Sequence, residues 1–314
     1  MNKVPYPKTY TSPLNLVELL KLRGLYIEDE EKAQNYLTNI SYYRLSAYCY
    51  PLLETPKNEH KYKKGSTFSH VLNLYRFDRK LRLLIFNEIE KIEVAIRSII
   101  VNTACEYFGS VFWMTDENNF ADPKYFEKFI KDISKDVKES SEDFIKHFTD
   151  KYKNEFPPAW AIAEILSLGG ICHVYKNFKD QSLKKKIAKE FGLQPIVFES
   201  WIMTLSGFRN ICCHHGRLWN RTLKLKPIVP YSTKHQWITD FLKNNIDSLD
   251  DGAIPKIDIQ RVYYRLCIIK YFLFSVSPNN TFKEKILVLL EKYPKIDINA
   301  MGFTANWKTE PIWI

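Results

Sequence analysis

The sequence predicts an all-α protein, and three observations carry that prediction. Glycine is scarce, ten in 314 residues, which leaves few of the turns a β protein needs. Leu, Ile, Lys and Glu come in long runs, a composition that leans towards helix. Between 68 and 107, apolar residues fall at 74, 77, 81, 85, 89, 92, 96 and 99, a spacing of three and four that draws one stripe along a long helix.

The elements follow in order. After a polar lead, "TSPLNLVELLKLRGL" offers Ser12 as cap, Pro13 at the first helical position and Gly24 as a stop. A second short helix should follow the acidic residues 28 to 31 and carry Ala33, Tyr36, Leu37 and Ile40 inward. "NISYYRLSAYCYPLL" has the apolar density of packed core or of a helix end. From about 51 to 68, Pro51, Pro56, Gly65 and several lysines indicate a loop.

Two acids fall inside the stripe of the long helix. At about 100° per residue, Asp78 and Glu88 project within the arc that holds Leu81, Ile85 and Ile92. A carboxylate turned to the core needs a cationic or hydrogen-bonding partner there. The polar stretch from 109 to 156 should hold a helix over 124 to 153. "FPPAW" restarts the apolar pattern, leading a helix through Trp160, Ile162, Ile165 and Leu168 that Gly169 and Gly170 would end. "LKKKIAKE", in a helix over roughly 183 to 191, presents lysines either to solvent or to RNA. Residues 194 to 213 form one further helix, "LKLKPIVP" an extended loop or short strand, and 258 to 276 and 282 to 291 two last helices.

The formal charge of +10 makes a polyanion such as nucleic acid a plausible partner. The six cysteines, at 49, 105, 172, 212, 213 and 267, form no evenly spaced framework, as expected of free thiols in a reducing cytosol. The amino terminus lacks the apolar core of a signal peptide, and no stretch reaches about 18 uninterrupted apolar residues. A cytoplasmic protein without membrane association is expected.

The densest chemistry lies in "RNICCHHGRLWNR", residues 209 to 221. Contiguous Cys212, Cys213, His214 and His215 point in different directions and cannot all close tetrahedrally on one ion, so no metal or other cofactor is expected. The cysteines suit small core positions. Arg209 falls on the apolar arc of Phe198, Trp201, Ile202, Leu205 and Cys212, where it would pair with a core carboxylate such as Glu88 or Glu164. Arginine with histidine also suits phosphate chemistry. The guanidinium forks onto phosphate oxygens and the imidazole moves a proton near neutral pH. Self-cleavage of RNA needs a proton taken from a 2′-hydroxyl, a proton given to the leaving 5′-oxygen and charge stabilisation between them. On an ideal helix Arg209 and His214 stand about 140° apart, whereas Asn210 and His214 share a face. Arg209 and His214 therefore converge only if the helix ends near Cys213, where Gly216 makes an end credible, or if each acts towards a second subunit. Arg217 and Arg221 follow either as a solvated exit or as contacts to RNA phosphates. His215 suits a solvated exit, and His173 and His235 suit ordinary structural positions.

Arg209-Asn210-Ile-Cys-Cys-His214 resembles the Arg-x4-His signature of the HEPN superfamily of helical ribonuclease domains. The wider "FRNICCHHGRLWNR" resembles the abortive-infection family of the AbiD/AbiF type. So do "LLKLRGLYIEDEEKAQNYLTNISYYRLSAY", "TFSHVLNLYRFDRKLRLLIFNEIEKIEVAIRS", "PPAWAIAEILSLGG" and the ending "MGFTANW" with "PIW". The chain departs from that pattern at Cys213, where a small residue such as Ala is expected.

The resemblance implies a HEPN-like helical core over 70–225, with a helical segment over 1–69 before it and another over 226–314 packed on it. It implies a metal-independent endoribonuclease in which Arg209 contacts the scissile phosphate, His214 is the acid or base and Asn210 orients the pair. It further implies a homodimer with facing motifs, RNA as substrate, a phage-defence or toxin-antitoxin setting, and a small structured RNA or a protein as antitoxin. The alternative is a non-catalytic HEPN-fold RNA-binding or sensing protein.

Overall fold

In the computed structural model, which describes residues 5–7, 9–239 and 257–314, helix starts largely follow the caps in the sequence. Ser12 Oγ accepts from Asn15 N ahead of α1 (Pro13–Leu22), with Pro13 in the first turn. Asp29 caps α2 (Glu30–Ile40) through Lys32 N, and Ser41 caps α3 (Tyr42–Cys49). Thr67 Oγ1 accepts from His70 N at the start of α4 (Phe68–Phe108). The described residues contain no strand, only isolated bridges such as Tyr26 with Thr67, so the chain is all-α as predicted.

Two compact units emerge: residues up to Leu81 together with Leu289–Ile296, and Arg82–Val288 together with Asp297–Ile314. In the first, α1 packs on α2 and α2 on α3 around Val17, Leu20, Ala33, Leu37 and Leu45. Ala33 and Leu37 are buried as predicted, but Tyr36 and Ile40 are only half-buried. Tyr36 stays near the surface because its hydroxyl accepts from Arg76 Nη2 and its ring lies under that guanidinium. Asp78 is fully buried and accepts from the Tyr48 hydroxyl at 2.7 Å, the partner that a core-facing carboxylate requires.

The second unit begins with the rest of α4, whose Ile85, Ile89, Ile92, Ile96 and Ile100 are buried along the predicted stripe. Glu88, inside that stripe, has no exposed surface and accepts from Lys91 and Lys285, each at 2.7 Å. The single helix expected over 124 to 153 is two, α5 (Pro123–Glu139) and α6 (Asp143–Lys151). Ser140 separates them, because its hydroxyl accepts from Glu142 N and holds extended backbone there.

The glycine pair does not end a helix. α7 (Ala159–Ile165) stops earlier, at extended Leu166, and Ser167 caps α8 (Leu168–Asn177) by accepting from Gly170 N, so Gly169 and Gly170 lie in the first turn. Trp160, the first residue of that apolar pattern, is 53% exposed in the first turn of α7, and His173 is exposed on α8. On α9 (Gln181–Glu190), Lys185, Lys186 and Lys189 face solvent, while buried Lys184 donates to Glu199 and to Lys176 O.

The centre of this unit is α10 (Pro195–Cys213), packed on α8, α9 and α11 (Val262–Val276). Trp201 is fully buried against Trp237 and Tyr271, and its Nε1 donates to Ile228 O. "LKLKPIVP" is accordingly a loop tied to α10 rather than a strand, with Ile228 N donating to Ser200 Oγ. α11 starts at Val262 rather than near 258, because the Asp258 carboxylate engages Gln260 N and Arg261 Nε in a turn. His235 bonds Ser275 Oγ at 3.0 Å and packs on Tyr271, a structural position. α12 (Phe282–Lys292) follows, as predicted. Residues 240–256, part of the carboxy-terminal segment expected over 226–314, lie outside the described residues. Among the described residues no helix is long and apolar enough to cross a membrane.

Candidate active site

The end of α10 is set by a backbone motif. His214 N donates to Asn210 O, His215 N to Cys212 O and Gly216 N to Ile211 O, which closes the last turn after Cys213. His215, rather than Gly216, carries the left-handed conformation that often follows a helix, with φ 55°. Gly216 is needed for space instead, since a Cβ there would sit 2.9 Å from Ile211 Cγ2. The helix thus ends where convergence of Arg209 with His214 requires it to end.

Arg209 leaves α10 towards α4. Its Nε lies 3.5 Å from Glu93 Oε2 and its guanidinium carbon 5.7 Å from the centre of the Phe86 ring. The carboxylate predicted for this arginine was Glu88 or Glu164. Glu88 is instead taken by Lys91 and Lys285, and Glu164 lines a surface cavity with Glu139 and Glu142. Arg209 Nε is buried without a hydrogen-bond partner, because its approach to Glu93 is an ion pair lacking hydrogen-bond geometry. A third of the side chain nevertheless stays open to solvent.

Glu93 also accepts from Arg97 Nη2 at 3.0 Å, and Arg97 Nη1 donates to the carbonyls of Ala163 and Leu166. One carboxylate therefore faces two guanidiniums, leaving a local charge of about +1 that an anion can neutralise. Arg82, 4% exposed, donates from Nη1 to Gly216 O at 3.3 Å. Arg82, Phe86, Glu93 and Arg97 recur at helical spacing on one face of α4, so a single stripe braces both Arg209 and the turn after it.

Asn210 and His214 are exposed, as is His215. Cys212 is buried at 5% exposure and Cys213 half-buried, the packing role that the sequence assigned them. Arg217 and Arg221 are both half-buried, and Arg221 Nη1 donates to Arg217 O at 3.3 Å. The Arg221 guanidinium also covers Gly216, where a Cβ would meet its Nη1 at 3.2 Å. Among the described residues no group of three His, Cys, Asp or Glu side chains is placed to hold a metal ion.

Glu93, Phe86, Arg82 and Arg97 were missed in the sequence. A signal was present: Glu93 and Arg97, four apart, flank the apolar stripe at Ile92 and Ile96, where a charge pair turns towards a neighbouring element.

The chain is all-α, with an arginine braced near a helix end and an exposed histidine just after that end. The model of the Abi-like protein family matches residues 35–220, more than half of the chain, and the protein belongs to that family. At a coarse level this places it in abortive infection, a form of phage defence. Neither the curated proteins nor the solved structures contain a match to the chain.

Proposed function

We propose that this Abi-like protein is a metal-independent endoribonuclease that cleaves RNA by attack of a 2′-hydroxyl on the adjacent phosphate. In this reading Arg209 binds the scissile phosphate and His214 transfers the proton, to or from the reacting oxygens. Asn210, on the same exposed helix end, orients substrate or histidine, and Arg217 and Arg221 take flanking phosphates. Two copies of the chain bring two such sets together, so that one His214 acts as base and the other as acid. The setting proposed is a toxin whose cleavage of RNA halts infected cells, restrained by a small RNA or protein antitoxin.

The observation that carries the reading is the ending of α10 at Cys213, which leaves His214 exposed at the helix exit, five residues after a partly open, preorganised Arg209. Holding Arg209 against Glu93 and Phe86 reduces the ordering that phosphate binding would otherwise cost. The excess of positive charge over negative around Glu93 favours an anion.

A second reading has a specific observation behind it. The same Arg209–Glu93 pair would join α10 to α4 in a protein that binds RNA without cleaving it. Incubation of RNA with the purified protein in EDTA, beside His214→Ala, separates the two. The nuclease yields fragments ending in a cyclic phosphate that His214→Ala does not produce, whereas the binding protein retains RNA intact in both forms.

A further inference from the structure

The first unit holds a cavity of about 450 Å³ that the proposed nuclease site does not use, within the size range of small-molecule sites. One wall is the face of α4 bearing His70, Asn73 and Arg76, each three residues apart. The other is the end of α12 and the turn beyond it, from Lys292 to Ile296.

The charge of this cavity is one-sided. Arg76, Lys292 and Lys295 line it, and no carboxylate does. By contrast, half-buried Arg97 is tied to Glu93 and buried Lys184 to Glu199. Arg76 is held by Tyr36 instead, which fixes the guanidinium through a hydroxyl and a ring face and leaves its charge uncompensated. Burial, and then the charge of Lys295, push the His70 imidazole below its ordinary value, so at neutral pH it offers one donor and one acceptor.

The remaining lining is apolar. Tyr293 packs edge-on against Phe77 with ring centres 5.8 Å apart, which fixes the tyrosine, and Pro294 and Ile296 extend its surface. A fixed aromatic wall facing one fixed guanidinium and two exposed lysines matches a ligand with a planar ring at one end and a phosphate at the other.

We propose that this cavity is a nucleotide site, in which Arg76, Lys292 and Lys295 take the phosphate, Tyr293 and Pro294 receive the base, and His70 and Asn73 hydrogen-bond its edge. A free nucleotide and a nucleotide within an RNA strand share this chemistry. The site rests on residues separate from Arg209 and His214, so it stands or falls independently of the nuclease reading.

The test is calorimetric titration of the full chain, carrying His214→Ala so that no RNA turns over. The probes are inorganic phosphate, a nucleoside, a nucleoside monophosphate and a short single-stranded oligoribonucleotide. Each titration is repeated with Lys292→Ala/Lys295→Ala, two exposed positions at which the melting temperature should hold. The monophosphate should bind about tenfold or more tighter than phosphate or nucleoside alone, and the double variant should lose about tenfold or more of that affinity. Saturation by the monophosphate identifies a free nucleotide as ligand. Binding of the oligoribonucleotide alone, lost to the same extent in the double variant, identifies a nucleotide within a strand. The proposal is overturned if the double variant binds every probe as its parent does, or if inorganic phosphate binds as tightly as the monophosphate and the oligoribonucleotide.

Discussion

Arg209 and Glu93 join α10 to α4 through one contact, Nε to Oε2 at 3.5 Å, and the same carboxylate also holds Arg97. A single negative charge thus positions two arginines, one locked onto backbone carbonyls and one partly open to solvent. Positioning by Glu93 and chemistry at His214 can be separated by experiment.

Removing Glu93 takes the shared counter-charge from both guanidiniums and the acceptor from Arg97. Glu93→Ala should therefore destabilise the protein by about 1–3 kcal/mol, whereas exposed His214→Ala should stay within about 0.5 kcal/mol of wild type. Chemical denaturation of the two variants checks this difference.

Gly216 is the tightest point of the turn that presents His214. Gly216→Ala places a methyl 2.9 Å from Ile211 Cγ2 and 3.2 Å from Ile211 O, and should cost about 1–3 kcal/mol. If the turn shifts to relieve the clash, RNA cleavage should fall as well. A variant that keeps both its melting temperature and its activity would show that the turn has room to spare.

Glu88 gives the fold a dependence on acid. Burial alone would raise its carboxyl, but hydrogen bonds from Lys285 and Lys91, and the charges of both, outweigh burial and hold it below its ordinary value. A carboxylate depressed in the folded state contributes stability above its unfolded value, near 4.3, and that contribution is lost as pH falls through the lower folded value. Glu88→Gln should accordingly lower stability by about 1 kcal/mol at pH 7, since both lysines are partly exposed and screened, and should show a smaller further loss below about pH 4. Melting temperatures from pH 3 to 7 for both forms measure it.

Periodicity made the helices legible, and it made the buried acids legible too. Asp78 and Glu88 stood out because a charge inside an apolar stripe demands a partner, and Tyr48, Lys91 and Lys285 supply it. Helix ends were less readable where a side chain competes for the backbone. Ser140 and Ser167 each redirect the chain with one hydroxyl, outweighing the apolar spacing of 124–153 and the glycine pair at 169 and 170. At the candidate site, Arg209, Asn210 and His214 were visible as residue types. The identity of Glu93 was not, because the partner of a long arginine is set by how α4 and α10 pack, and that packing is non-local. Gly216 was read as a sign that the helix ends near Cys213, and it does end there, with His215 in the left-handed conformation and Gly216 kept for space.

The most direct measurement is the rate of RNA cleavage in EDTA by wild type, Arg209→Ala and His214→Ala, with the melting temperature taken on the same preparations. The account predicts cleavage by wild type, with losses of about 100-fold or more in both variants and no loss of folding in His214→Ala. Cleavage by His214→Ala at the wild-type rate, or activity that appears only when a divalent metal is added, would contradict it.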